Sequence, residues 1–111
     1  MKEYALTINL VNDPGKIEQY RTYHRHVWPE VRECLKGAGI INMDIYLLGR
    51  RLFMLLNTRD EFDPDRDFDT LLTLHPRYKE WQDTMDTFQE RVPEAKGGEH
   101  WAVMDRVFRL S

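Results

Sequence analysis

Tyr20 and His24 are the residues of this sequence whose types and spacing best suit proton-transfer chemistry. They stand four positions apart, a spacing that places two side chains on the same face of a helix. Ile17, Val27 and Val31 share that face, so the pair points towards the core or a cleft in it. An imidazole titrates near pH 6.5 and suits general acid–base catalysis. Spacing alone favours the simpler interpretation, a core histidine bonded to a backbone carbonyl.

No other combination of residues predicts a metal site or a covalent nucleophile. His26 stands two positions from His24, so the two rings point to opposite sides of a helix. Cys34 is the only cysteine, which excludes an internal disulfide and any CxxC motif. The acidic segment 59–69 lacks the glycine and the glutamate of an EF-hand, and its charge predicts a solvated loop. We therefore expect no metal and no cofactor.

Composition limits the class of protein. The chain has 111 residues, of which 41% are hydrophobic and 32% charged, as expected of one globular domain spanning residues 1–111. A net charge of −3 argues against a nucleic-acid partner. No apolar run approaches the ~18–20 residues of a membrane span, and no signal peptide follows Met1, so we expect a cytoplasmic protein without a membrane partner.

Hydrophobic periodicity predicts the elements that position these side chains. The predicted order is strand, helix, strand, strand, helix, strand, which is the ferredoxin-like split βαβ pattern of an α+β fold. Pro29 is expected to kink or split the first helix, after Val27 or Trp28. The predicted elements are a strand from Tyr4 to Val11, a helix from Lys16 to Gly37, a hairpin of Ile40–Leu48 and Arg51–Thr58, a short helix over Thr70–Leu74, a helix from Pro76 that ends before Pro93, and a strand from Trp101 to Leu110.

The strand Leu52–Leu56 is apolar on both sides, whereas helices in this pattern cover only one face of the sheet. A monomer would leave too much apolar surface in water. The sequence therefore predicts a homodimer in which two sheets pack face to face, a dimeric α+β barrel.

The segment Tyr20–Glu30 contains a tyrosine, a histidine four positions later and then a Trp-Pro-Glu triplet. In this spacing the sequence resembles the L-rhamnose mutarotase family, small enzymes that interconvert sugar anomers on the dimeric ferredoxin-like fold. The resemblance covers most of the chain. Residues 42–47 resemble the family's second strand, 52–54 its third strand, and 80–85 its tryptophan-bearing helix.

The resemblance implies a role for each matching residue. His24 corresponds to the catalytic histidine, and Tyr20 to a sugar-contacting tyrosine that is either a second acid–base group or a binding group. Two positions depart from the pattern, since Met43 replaces a sugar-contacting tyrosine and Gln82 replaces the second tryptophan of a pair. The implied substrate-binding residues are Tyr20, Trp28, Asn42, Met43, Tyr46, Trp81 and Gln82.

The activity that the resemblance implies is cofactor-free mutarotation of a 6-deoxyhexose, L-fucose or L-rhamnose. Ring opening needs a base for the anomeric hydroxyl and an acid for the ring oxygen. The two departures and the overall pattern resemble relatives assigned to L-fucose more closely. Two alternatives stay open: a non-catalytic ligand-binding ferredoxin-like module, and a cofactor-free monooxygenase on the same barrel.

Overall fold

The computed structural model describes all residues, 1–111, and contains five strands and four helices. They follow the predicted alternation, including the break in the first helix and a short helix before the last one, and add one two-residue strand that was not predicted. The elements are β1 (Lys2–Leu10), α1 (Pro14–Arg25), α2 (Pro29–Gly37), β2 (Ile40–Leu48), β3 (Arg51–Thr58), α3 (Pro64–Leu71), α4 (Pro76–Asp86), β4 (Gln89–Glu90) and β5 (Ala102–Met104).

The sheet is antiparallel, with β2, β3 and β1 side by side and both β4 and β5 on the remaining edge of β1. This order confirms the ferredoxin-like α+β prediction. The β2–β3 hairpin closes in two residues, and Gly49 adopts a φ of 62° there. A type II′ turn requires that sign at its first central position, which suits a glycine.

The helices cover one face of this sheet and leave the other uncovered. On β3, Leu52, Met54 and Leu56 are buried against the helices, while the alternate residues Phe53 and Leu55 are only half-buried. Successive side chains of a strand point to opposite faces of the sheet, so every second residue is buried when only one face packs against the core. We call the two sides the covered face and the open face.

The predicted break at Pro29 is confirmed, and its position is slightly earlier than expected. Helix α1 ends at Arg25, and α2 starts afresh at Pro29 after an extended Trp28 with φ −62° and ψ 139°. A proline at the first helical position loses no hydrogen bond, whereas in mid-helix it would. The turn between the helices therefore begins two residues after His24.

The prediction of a solvated loop followed by a helix over Thr70–Leu74 was wrong, because α3 occupies Pro64–Leu71. Asp63 caps this helix by accepting a hydrogen bond from the Asp65 amide at 3.0 Å. Acidic residues in the first turn favour the helix dipole, and Phe68 and Leu71 face the core. The segment was predicted as a loop because of its many charged residues, but it forms a capped amphipathic helix.

The last predicted strand and helix were both too long. Helix α4 ends at Asp86, and the chain then forms the two-residue strand β4. Strand β5 ends at Met104, and the segment 105–111 leaves the sheet with Val107, Phe108 and Leu110 largely exposed. Alternating apolar residues form a strand only where a partner edge and a surface to cover are present. None of the four helices is long and apolar enough to cross a membrane.

Candidate active site

His24 lies in the last turn of α1, where its ring stacks against the ring of Tyr20. The two ring centroids are 4.1 Å apart, and the ring centroid of Trp81 lies 5.4 Å from that of His24 in an edge-to-face arrangement. Asp13 caps the start of α1 by accepting hydrogen bonds from the Gly15 and Lys16 amides. The spacing of four residues thus places both side chains on the same face, as predicted.

One hydrogen bond determines which nitrogen of His24 is available. Nδ1 lies 2.9 Å from the backbone carbonyl oxygen of Tyr20. A carbonyl only accepts, so Nδ1 carries the hydrogen, and Nε2 of the neutral ring keeps its lone pair. Burial lowers the pKa of His24, an effect that the Tyr20 carbonyl partly offsets. The neutral, basic form therefore dominates near neutral pH.

A cavity of about 350 Å³ separates the covered face from helices α1, α3 and α4. Volumes of ~300–1,000 Å³ are usual for small-molecule sites. Its walls combine an apolar surface with a few polar groups, which is the usual composition of a small-molecule site. The lining includes Leu6, Tyr20, His24, Met43, Ile45, Met54, Asp65, Phe68, Asp69, Trp81, Gln82, Asp86, Gln89, His100 and Trp101.

Five of the predicted site residues meet in this cavity: Tyr20, His24, Met43, Trp81 and Gln82. They come from α1, β2 and α4. The Gln82 side chain donates from Nε2 to Asp86 Oδ1 at 2.8 Å, so this amide is already engaged within its own helix.

The other three predicted residues do not reach the cavity. Trp28 lies behind Trp81, with ring centroids 5.1 Å apart, and the Arg77 guanidinium covers its ring at 3.7 Å. Asn42 and Tyr46 lie on the open face of β2, because successive strand residues alternate between faces and Met43 points to the covered one. Pattern matching selected the right strand but could not separate its two faces.

Sequence reasoning missed three polar residues at the far side of the cavity: Asp86, Gln89 and His100. His100 Nε2 lies 2.7 Å from Gln89 Oε1 and 3.4 Å from Asp86 Oδ1. The available signal was a histidine after Gly97-Gly98 and directly before the last strand, a place where loops often carry functional groups. Its partners could not be identified without the pairing of β4 and β5 with β1.

The Tyr20 hydroxyl differs from the two imidazoles in its proton affinity. Burial raises the pKa of Tyr20 far above its ordinary value, and the facing Gln89 side chain offsets only a small part of this. A phenol in that environment keeps its proton and acts as a neutral hydrogen-bonding group.

The fold and this cavity define a class: an α+β protein of the dimeric-barrel fold type, with a cavity between sheet and helices that two histidines line. Within that class, the chain matches the family described as L-rhamnose mutarotase over residues 3–110. It belongs to that family.

Similar proteins agree with this membership. The chain is 45% identical to a UPF0734 protein of Dictyostelium discoideum, over 98% of this chain and 90% of that protein. It is 35% identical to an L-fucose mutarotase of Xanthomonas campestris, over 100% of this chain and 90% of the other. The crystal structure of an L-rhamnose mutarotase from Formosa agariphila superimposes with a TM-score of 0.71, covering both chains completely at 19% identity.

Proposed function

We propose that this protein is a mutarotase that interconverts the α and β anomers of a 6-deoxyhexose. The observation that carries the proposal is the free Nε2 of His24, directed by the Tyr20 carbonyl and lying in a cavity shared with Trp81. Membership of the mutarotase family supports the same reaction.

The reaction requires only proton transfers and one reversible C–O cleavage. Neutral His24 takes the proton of the anomeric hydroxyl as the C1–O5 bond breaks, and a second proton donor in the cavity protonates O5. Rotation about C1–C2 presents the other face of the aldehyde, and the reverse transfers close the ring. A positioned acid or base contributes about 10²–10⁴-fold to such a step.

Tyr20 acts as a binding residue rather than as the second acid–base group in this proposal. Its raised pKa makes the phenol a poor proton donor to the substrate and keeps it neutral. Trp81 offers an apolar surface for the C–H groups and the 6-methyl of the sugar.

The preferred sugar is L-fucose over L-rhamnose. The two sugars share the 6-methyl group, so an apolar contact with it does not discriminate between them, whereas a misplaced hydroxyl leaves a buried partner unpaired at a cost of about 1–3 kcal/mol. Met43 and Gln82 form part of the cavity wall and replace an expected phenol and indole with a thioether and an amide. The match to the relative named L-fucose mutarotase runs along the whole chain and supports this preference.

The functional unit is a homodimer of single-domain protomers. The open face exposes Tyr46 and leaves Phe53 and Leu55 half-buried, and the segment beyond Met104 exposes Phe108 and Leu110. A second copy that covers both would remove this apolar surface from water.

The test is anomer exchange measured by saturation-transfer NMR with L-fucose, L-rhamnose and other monosaccharides. We expect exchange with the native chain, fastest for L-fucose, and a loss of about 10²–10⁴-fold in His24→Asn. His26→Asn is the matched control, because this neighbouring histidine is exposed and does not line the cavity.

Two results would contradict the proposal. Absence of exchange with every sugar would favour a binding module or a cofactor-free monooxygenase, and the latter would consume oxygen with an aromatic substrate. Full exchange in His24→Asn would keep the mutarotase activity but remove His24 from the catalytic position. A faster reaction with L-rhamnose would reverse only the sugar preference.

A further inference from the structure

His100 lies in the same cavity as His24 and is held in a similar way. Its Nε2 lies 2.7 Å from Gln89 Oε1, and because an amide oxygen only accepts, Nε2 carries a hydrogen. Nδ1 makes no hydrogen bond within the protein. In both histidines one ring nitrogen is therefore held by the chain and the other is free.

Asp86 gives His100 a second property that His24 lacks, a carboxylate next to its ring. Asp86 Oδ1 lies 3.4 Å from His100 Nε2, and the Gln82 amide fixes the same oxygen at 2.8 Å. A carboxylate on the far side of an imidazole stabilises its protonated form, as in acid–base triads. His24 has only a neutral carbonyl in this position.

Mutarotation needs a base for the anomeric hydroxyl and an acid for the ring oxygen. The base alone does not complete the reaction. His24 supplies a base, while the buried phenol of Tyr20 is too weak an acid to protonate a ring oxygen. We propose that His100, held by Asp86 and Gln89, is the second catalytic residue and exchanges a proton with the ring oxygen of the sugar. This inference rests on the mutarotase proposal.

The step is balanced. The anomeric O–H bond breaks and its proton moves to His24 Nε2, while a C=O bond forms at C1. The C1–O5 electron pair moves to O5, which takes a proton from Nδ1 of the His100 imidazolium. Ring closure on the other face of C1 returns both protons, so nothing is consumed.

The charged groups that face His100 set the pH range in which it can donate. Burial lowers the pKa of His100, the Asp86 carboxylate counteracts this, and Arg91 lowers it further. Glu99 precedes it in the same loop, and Gln89 is uncharged. The net effect lowers the pKa of His100, as burial also does for His24, so the acid form of His100 is the minor form at neutral pH. Because the reaction needs this acid form together with the base form of His24, the rate profile should be bell-shaped, with its maximum at mildly acidic pH.

The experiment compares His100→Gln with His24→Asn, His26→Asn and the native chain, using L-fucose and L-rhamnose at saturating concentration. Exchange rates are measured from pH 5 to 9, and sugar affinity is followed by tryptophan fluorescence. Circular dichroism checks that each variant is folded. We expect His100→Gln to exchange about 10–100-fold more slowly, with affinity changed less than about threefold.

The pH profile separates a catalytic role from a structural one. In the native chain the rate should decline on the alkaline side, and His100→Gln should lose this decline but keep the rise that His24 causes. Asp86→Asn keeps the shape of the side chain but removes its charge, so it should move the alkaline decline to lower pH.

Three results would overturn the inference. These are a native rate in His100→Gln, a parallel loss of rate and affinity, and a pH profile that the substitution leaves unchanged. If the native chain exchanges anomers and His24→Asn does not, such a result contradicts His100 alone. If the native chain does not exchange anomers at all, the proposed function and this inference fail together.

Discussion

The two faces of the sheet carry the same kinds of side chain but serve different purposes. On β3, Leu56 on the covered face is fully buried against helices, whereas its neighbour Leu55 on the open face stays half-exposed. On β2, Met43 lines the cavity while Asn42 and Tyr46 point away from it. Hydrophobicity alone therefore does not identify a position as core, site or interface; the face of the strand does.

The covered face also explains where a polar site can exist within so small a core. The cavity lies between the sheet and helices α1, α3 and α4, and its polar groups come from these helices, from β4 and from the loop before β5. The open face offers no such depth, because nothing in the protomer lies over it.

The largest effect is expected from a charged substitution on the covered face. Leu56→Asp would place a carboxylate at a position with no solvent exposure. An unpaired buried charge costs several kcal/mol, which is comparable with the total stability of about 5–15 kcal/mol. We expect an unfolded chain, seen as loss of the circular dichroism signal and of cooperative melting. A folded variant would mean that the interior here is wetter than the structure indicates.

The second largest effect is expected from a charged substitution on the open face, which leaves the core of the protomer unchanged. Leu55→Asp leaves the charge solvated in the protomer but buries it in the proposed dimer. We expect a folded protein whose dimer dissociation constant rises at least ~100-fold, since several kcal/mol per buried ion correspond to that factor or more. Sedimentation velocity measures this change.

Gln19→Asp adds the same charge at an exposed position of α1 and should leave the dimer intact. A native chain that sediments as a monomer at micromolar concentration would contradict the dimer itself. An unaltered dimer in Leu55→Asp would place the interface elsewhere.

A smaller effect is expected on sugar affinity, and it should differ between two neighbouring residues of β2. Met43→Ala removes apolar contact from the cavity wall and should weaken sugar binding about three- to tenfold, at ~0.8 kcal/mol per buried methylene. Asn42→Ala, one residue away on the open face, should change the affinity less than twofold. Titration of tryptophan fluorescence with sugar measures both. Equal losses in the two variants would show that the faces are not separated as described.

The smallest effect concerns stability against pH. Because burial lowers the pKa of His24, the unfolded chain binds a proton at a higher pH than the folded chain does. The free energy of unfolding should therefore be highest above the ordinary pKa of a histidine, and it should fall as the pH decreases below that pKa. Urea unfolding between pH 7.5 and 5.5 should show a shallower decline in His24→Asn than in the native chain. An identical slope would indicate that His24 is more hydrated than its position suggests.

Much of this protein could be predicted from local patterns. The helical spacing of Tyr20 and His24, the break at Pro29 and the tight hairpin at Gly49 all depend on residues a few positions apart. The acidic helix α3 was missed because the number of charged residues was given more weight than its cap and its partly buried Phe68.

Sequence by itself determined the order of elements, the antiparallel sheet class and the face of α1 that carries His24, because each follows from short-range periodicity and backbone preference. Only the tertiary structure decided which strand residues line the cavity, that Trp28 lies behind Trp81, and that His100 meets Asp86 and Gln89. Those contacts depend on the pairing of β1 with β4, about 80 positions away along the chain, and with β5, nearly a hundred positions away. No local spacing encodes such a pairing, since it is set by which surfaces the whole chain can bury together.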